Sequence, residues 1–210
     1  MGECGFALKD VTAVACSSVV PAFSRILQAA FLKWDFYLIN RESPFSYEVR
    51  ASHVGMDRLV NAEAAIREYG TPCLVLDMGT CTTLCAISRA QGSKAVFLGG
   101  AIFPGIEMGL QGLATRAAQL SSIELTPPAK VIGENTQEAL RSGILLGYAS
   151  MLEGMVKRFK TEMAEGAEIP VIATGGAAHL LKGLTDVWTV LDLNLTLKGI
   201  AQLYETLHKR

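Results

Sequence analysis

An aspartate, a glycine and three threonines close the apolar run in Leu74-Val75-Leu76-Asp77-Met78-Gly79-Thr80-Cys81-Thr82-Thr83. A strand ending this way offers backbone N–H groups and a cation-binding carboxylate where a nucleotide's phosphates could rest. Asp77 stands where the strand stops, so its ionisation is costly unless amides or a cation compensate. A turn-capping aspartate beside flexible Gly79 is the plainer reading, and the threonines suit a strand in any case. Gly55-Met56-Asp57-Arg58 is a second candidate. Asp57 could orient an alcohol while Arg58 holds a carboxylate or a developing anion; alternatively, Asp57 caps a helix and Arg58 faces solvent.

Two glycine-rich segments also follow apolar runs. Gly99-Gly100-Ala101-Ile102-Phe103-Pro104-Gly105 reads as a loop that passes close to a substrate or a neighbouring strand, and Thr174-Gly175-Gly176-Ala177 as a turn that could touch a nucleotide. Gly-x-x-x-x-Gly-Lys-Thr and Gly-x-Gly-x-x-Gly are both absent, which removes the main support for a P-loop or a dinucleotide fold.

The elements that must position these residues follow from periodicity. A strand over 11–20 runs into a Ser17-Ser18 turn, and Pro21 opens a helix to about Lys33. A short strand covers 36–39, and a loop from Val54 leads into a helix ending at Tyr69. Strands at 73–76, 82–88 and 95–98, with turns at Asp77-Met78-Gly79 and Gln91-Gly92, predict an antiparallel meander. A helix over 106–120 and a surface crossing over 121–133 follow. Asn135-Thr136 then caps a long helix whose stripe Leu145, Tyr148, Leu152, Met155 and Phe159 is read as packing, in a core or a subunit interface. A strand at 170–174, a short helix to about Leu181, a strand at 187–191 and an amphipathic helix over 195–207 complete an α/β chain whose sheet is not purely parallel.

With 210 residues, half of them hydrophobic, the chain can bury a substantial core. Nineteen Lys and Arg balance 20 Asp and Glu, so no net field draws it to nucleic acid or to an anionic membrane. The five cysteines, Cys4, Cys16, Cys73, Cys81 and Cys85, form no Cys-x-x-Cys pair, which points to thiols in a reducing compartment. His53, His179 and His208 are too scattered for a zinc site. No apolar stretch reaches the roughly 18 residues a membrane span needs. The expectation is a cytoplasmic protein with neither nucleic-acid nor membrane partners.

Taken together, Ser17-Ser18-Val19-Val20-Pro21, Gly55-Met56-Asp57-Arg58 with Asn61-Ala62, Asp77 to Thr83, Gly99 to Gly105, Asn135-Thr136 and Thr174-Gly175-Gly176 resemble, in order, the type III pantothenate kinases. The resemblance implies a ribonuclease H-like, actin/hexokinase-type α/β fold with duplicated lobes and mixed sheets. Residues 1–70 would be a remnant of the first lobe carrying the acceptor-site loop, and 71–210 the second lobe with the phosphate loop and a dimer helix. It implies ATP-dependent phosphorylation of pantothenate to 4'-phosphopantothenate, the first step of coenzyme A biosynthesis. Asp57 would be the general base, Gly55 and Arg58 would bind pantothenate, and Asp77 would hold a monovalent cation, potassium or ammonium. Gly79, Thr80 and Thr83 would form a phosphate loop, with Thr174, Gly175 and Gly176 bordering the nucleoside. Thr136 would reach the acceptor site of a partner subunit in a homodimer.

Family members carry an Asp-x-Gly-Asn-Thr unit whose aspartate helps position Mg²⁺, and this chain has no such unit before Ser17, so the first lobe is expected to be incomplete. Cys85 also stands where the family usually has aspartate. The alternative function these departures suggest is a catalytically impaired homologue acting as a dimeric scaffold or regulator.

Overall fold

The computed structural model describes residues 7–18, 21–91, 94–116, 123–164 and 168–208. Cys4, Val19, Val20, Gly92 and the expected helix end near Leu120 lie outside them. Strand β1 (Ala13–Cys16) and strand β2 (Asp35–Leu38) pair in parallel, joined by helix α1 (Pro21–Ala30). Proline suits the first helical turn because its missing N–H would have no partner there.

Among the described residues, the second sheet has six strands. Strand β3 (Glu48–Val49) precedes helix α2 (Met56–Tyr69), then come β4 (Cys73–Met78), β5 (Cys81–Gln91) and β6 (Lys94–Pro104). Helix α3 (Ile106–Arg116), helix α4 (Thr136–Arg141) and helix α5 (Gly147–Met163) follow, with a π-helical turn at Ser142–Leu146 linking the last two. Strand β7 (Val171–Thr174), a 3₁₀ turn (Gly176–Leu181), strand β8 (Val190–Leu191) and helix α6 (Leu195–His208) complete the chain. The strand order is β3-β6-β5-β4-β7-β8. The β4-β5-β6 meander is antiparallel as the turn signals predict, while β7 runs parallel to β4, β8 to β7 and β3 to β6. The result is a mixed α/β fold.

Period-two alternation explains why these strands read as continuous apolar runs: both faces are covered. Leu74, Leu76 and Met78 of β4, Leu84 of β5 and Val171 and Ala173 of β7 join Leu145 and Leu152 in one core, with Tyr148, Met155 and Phe159 packed against it. The helical stripe is therefore packing, as expected. Val75, Cys85, Ile87 and Ile172 face the other way, into a core built on Leu59, Ala62 and Ala65 of α2. Ile39, just past the end of β2, Val60 of α2 and Leu203 of α6 form a third cluster that ties the small sheet to the large one.

Several elements differ from the sequence reading. Gly99 to Pro104 is not a loop: it continues β6, with Gly100 opposite Cys85 and Pro104 opposite Cys81. A register shift beside Ala86 and Ile87, opposite Gly99 and Phe97, absorbs the irregularity that the glycines announce. Strand β3 escaped notice because two residues carry no period. Strand β8 keeps only the last two residues of its expected span, and the long helix is broken by its π turn.

Candidate active site

Because β4 alternates, Asp77 points to the same face as Val75, toward α2. In the sheet it stands opposite Thr83 of β5 on one side and Thr174 of β7 on the other, so three candidate residues share one rung. Its carboxylate is partly buried, and Oδ2 accepts a hydrogen bond of 2.8 Å from Asn61 Nδ2 of α2. Burial raises the Asp77 pKa above the ordinary aspartate range, the Asn61 bond opposes that rise, and the nearby charge of Asp57 adds to it. The two carboxylates are thus within electrostatic reach of each other.

Asp57 occupies the first turn of α2, where a negative charge meets the positive end of the helix dipole. The cap is Gly55, with extended backbone and no side-chain cap bond. The Asp57 carboxylate folds back over it, so a Cβ on Gly55 would collide with Oδ1. Arg58 is half-buried rather than solvent-facing: its Nε donates to Cys85 Sγ at 3.1 Å, and its guanidinium carbon lies 5.7 Å from the Phe97 ring centre. In the sequence Cys85 reads as a strand residue, and only its position two residues past Thr83, on the same face of β5, hints at this contact.

The turn between β4 and β5 opens onto a cleft of about 560 Å³ lined by Gly79, Thr80, Glu107, Met108, Gln111, Gly176 and Ala177. Gly175 makes this approach possible, with φ at +95° and the Met78 backbone 2.5 Å from where a Cβ would sit. The structure thus brings Gly79, Thr80, Gly175 and Gly176 to one end of the sheet, next to the rung of Asp77, Thr83 and Thr174. Glu107 and Gln111 were missed, because nothing in a helical sequence marks which turn faces a cleft. Thr136 is not among the residues lining the cleft. It is exposed at the start of α4, after Asn135, whose Oδ1 accepts from Glu138 N at 3.0 Å.

Among the described residues no three His, Cys, Asp or Glu side chains cluster tightly enough to cage a metal. The donors at the rung are one carboxylate and threonine hydroxyls, all hard oxygen ligands. They fit a magnesium or potassium ion shared with phosphate oxygens and water, not an ion held by protein alone.

A mixed sheet covered by helices on both faces, with a cleft bordered by Gly79 and Gly176 near an aspartate at its strand ends, defines an α/β protein with a candidate ligand cleft. The type III pantothenate kinase family model matches residues 2–158. The type III pantothenate kinase of Thermomicrobium roseum is 39% identical over 211 residues, covering 98% of this chain and 79% of that protein. That of Brevibacillus brevis is 39% identical over 210 residues, covering 97% and 80%. The crystal structure of a Campylobacter jejuni protein assigned to the Baf family of transcriptional activators superposes with a TM-score of 0.63 at 19% identity, covering 91% of this chain and 81% of that one. At that identity the likeness speaks for the fold alone. The chain belongs to the type III pantothenate kinase family.

Proposed function

We propose that this chain transfers the γ-phosphoryl group of ATP to the primary alcohol of pantothenate, giving 4'-phosphopantothenate at the start of coenzyme A biosynthesis. The observation that carries the reading is that the charge of Asp57, at the start of α2, is felt at Asp77, at the end of β4, near a cleft bordered by Gly79 and Gly176. An alcohol held at Asp57 can there meet a terminal phosphate held over the β4–β5 turn.

In this reading Arg58 binds the pantothenate carboxylate beside Gly55, and Asp57 accepts the hydroxyl proton. The alcohol oxygen then attacks the γ-phosphorus, and the bond to the bridging oxygen breaks to release ADP. Gly79, whose own N–H closes the turn onto the Cys81 carbonyl, lets the phosphates approach closely, Thr80 offers its backbone N–H and Thr83 a hydroxyl, while Thr174, Gly175 and Gly176 border the nucleoside. Asp77 would hold the monovalent cation, potassium or ammonium; that ion and magnesium would supply positive charge to offset what builds on the transferring group. Placement and neutralisation are the main demands of phosphoryl transfer. We further assign the chain to the actin/hexokinase-type fold with duplicated lobes, acting in the cytoplasm as a homodimer. The exposed Thr136 would complete the partner's acceptor site.

The test is product identification. Incubating the protein with ATP, pantothenate, magnesium and potassium should give phosphorylated pantothenate and equimolar ADP by mass spectrometry. Folded protein that yields neither removes the reading and leaves a dimeric scaffold as the function of the chain.

A further inference from the structure

We infer that Asn61 and Thr196 are positioning residues, a two-bond relay from helix α6 through α2 that orients the Asp77 carboxylate against the β4–β5 turn. Thr196 Oγ1 donates to Asn61 Oδ1 at 2.6 Å, and Asn61 Nδ2 donates to Asp77 Oδ2 at 2.8 Å. Asn61 is 1% exposed, so no water competes for its amide. The direction of each bond is set by chemistry: a carboxylate only accepts, so the amide turns its NH₂ toward Asp77 and its oxygen toward the Thr196 hydroxyl.

The relay leaves the two oxygens of Asp77 with different tasks. Oδ2 is engaged by Asn61, while Oδ1 lies 3.7 Å from where a Cβ on Gly79 would be, against the turn that forms the cleft. A neutral amide orients the carboxylate without cancelling its charge, as a lysine or arginine in its place would. The full negative charge remains for a cation beside the phosphates, the role assigned to Asp77 in the proposed function, on which this inference rests. Outer partners of this kind fix a ligand's orientation and tune its affinity for the ion.

The packing of α6 on α2 is built for this reach. Gly199 lies so close to Val60 that a Cβ would collide with the Val60 carbonyl oxygen, and this contact brings the first turn of α6 over Asn61. Thr196 is 135 residues from Asn61 in sequence, so no local motif announces it.

The experiment is a potassium chloride titration at constant ionic strength, with choline chloride as balance, read by turnover and by the thermal midpoint of the ADP-bound protein. T196V is compared with wild type and with T196S, which restores the hydroxyl; N61A serves as a second break. T196V and N61A should raise the potassium concentration for half-effect by about tenfold in both readouts. T196S should titrate like wild type, and T196V should approach wild-type turnover once potassium saturates. Wild type that is stabilised by potassium but never phosphorylates pantothenate would sink the kinase reading, while the T196V shift in melting would still support the relay. A T196V titration that matches wild type overturns the relay. So does lost turnover with an unchanged potassium midpoint, or a wild-type melting point indifferent to potassium.

Discussion

Arg58 reaches back from α2 to Cys85 on β5, Nε to Sγ at 3.1 Å, and this contact fixes the direction of its guanidinium. Burial pushes the Cys85 thiol up, and the Arg58 charge beside it does not reverse that rise. The thiol therefore stays neutral at physiological pH and orients Arg58 without neutralising it; in the proposed reading that guanidinium meets the acceptor's carboxylate. Replacing Cys85 by Ser keeps an acceptor in place, whereas Val removes it and frees the side chain. Steady-state kinetics should show Cys85→Val raising the KM for pantothenate by about tenfold, roughly one charge-assisted hydrogen bond, with the KM for ATP unchanged. Cys85→Ser should stay close to wild type. Equal effects on both substrates would remove Cys85 from the acceptor site.

Asp77 carries a cost in the ligand-free protein. Burial raises its pKa in the folded state, helped by Asp57 and opposed by Asn61. A raised carboxylate pKa means that the folded state resists ionisation: the penalty is absent below the unfolded value of about 4 and grows as pH rises through the folded value. Asp77→Asn keeps an acceptor for Asn61 and removes the penalty. Urea unfolding near neutral pH should therefore find the variant more stable than wild type, with the advantage vanishing in acid, while its phosphorylation of pantothenate falls sharply. A variant less stable at neutral pH would show that Asp77 supports the fold and does not strain it.

Asp192 behaves in the opposite way. Burial favours its neutral form, but Lys198 Nζ at 2.7 Å, Tyr69 Oη at 2.8 Å and Asn194 N at 3.1 Å all donate to it, and the net effect is a lowered pKa. A lowered folded-state pKa contributes stability above the unfolded value of about 4, and this stability is lost as pH falls through the folded value. Asp192→Ala should lower stability near neutral pH by about 2 kcal/mol in chemical denaturation, discounted for the partly exposed Lys198, and the gap from wild type should close in acid. A gap independent of pH would mean that packing, not charge, accounts for the loss.

The sequence was most legible where chemistry and strand ends coincide. Asp77, Gly79, Thr174 and Gly175 stood out because a polar or glycine residue ending an apolar run is locally unusual, and the meander followed from its two turn signals. Gly99 and Gly100 misled because glycine normally marks a turn; here pairing with β5 continues through them to Pro104. What pairs across the fold stayed hidden. Arg58 with Cys85 and Asn61 with Thr196 depend on how α2 and α6 lie on the sheet, and periodicity within one element carries no information on that.

If Asp57 takes the proton of the acceptor alcohol, pantothenate-dependent ADP release must collapse in Asp57→Asn measured beside wild type. Asp57 is exposed, so the substitution leaves the core intact. The kcat should fall about 10²- to 10⁴-fold, the usual contribution of a general base, with an unchanged thermal midpoint. Turnover by Asp57→Asn at the wild-type rate would contradict it.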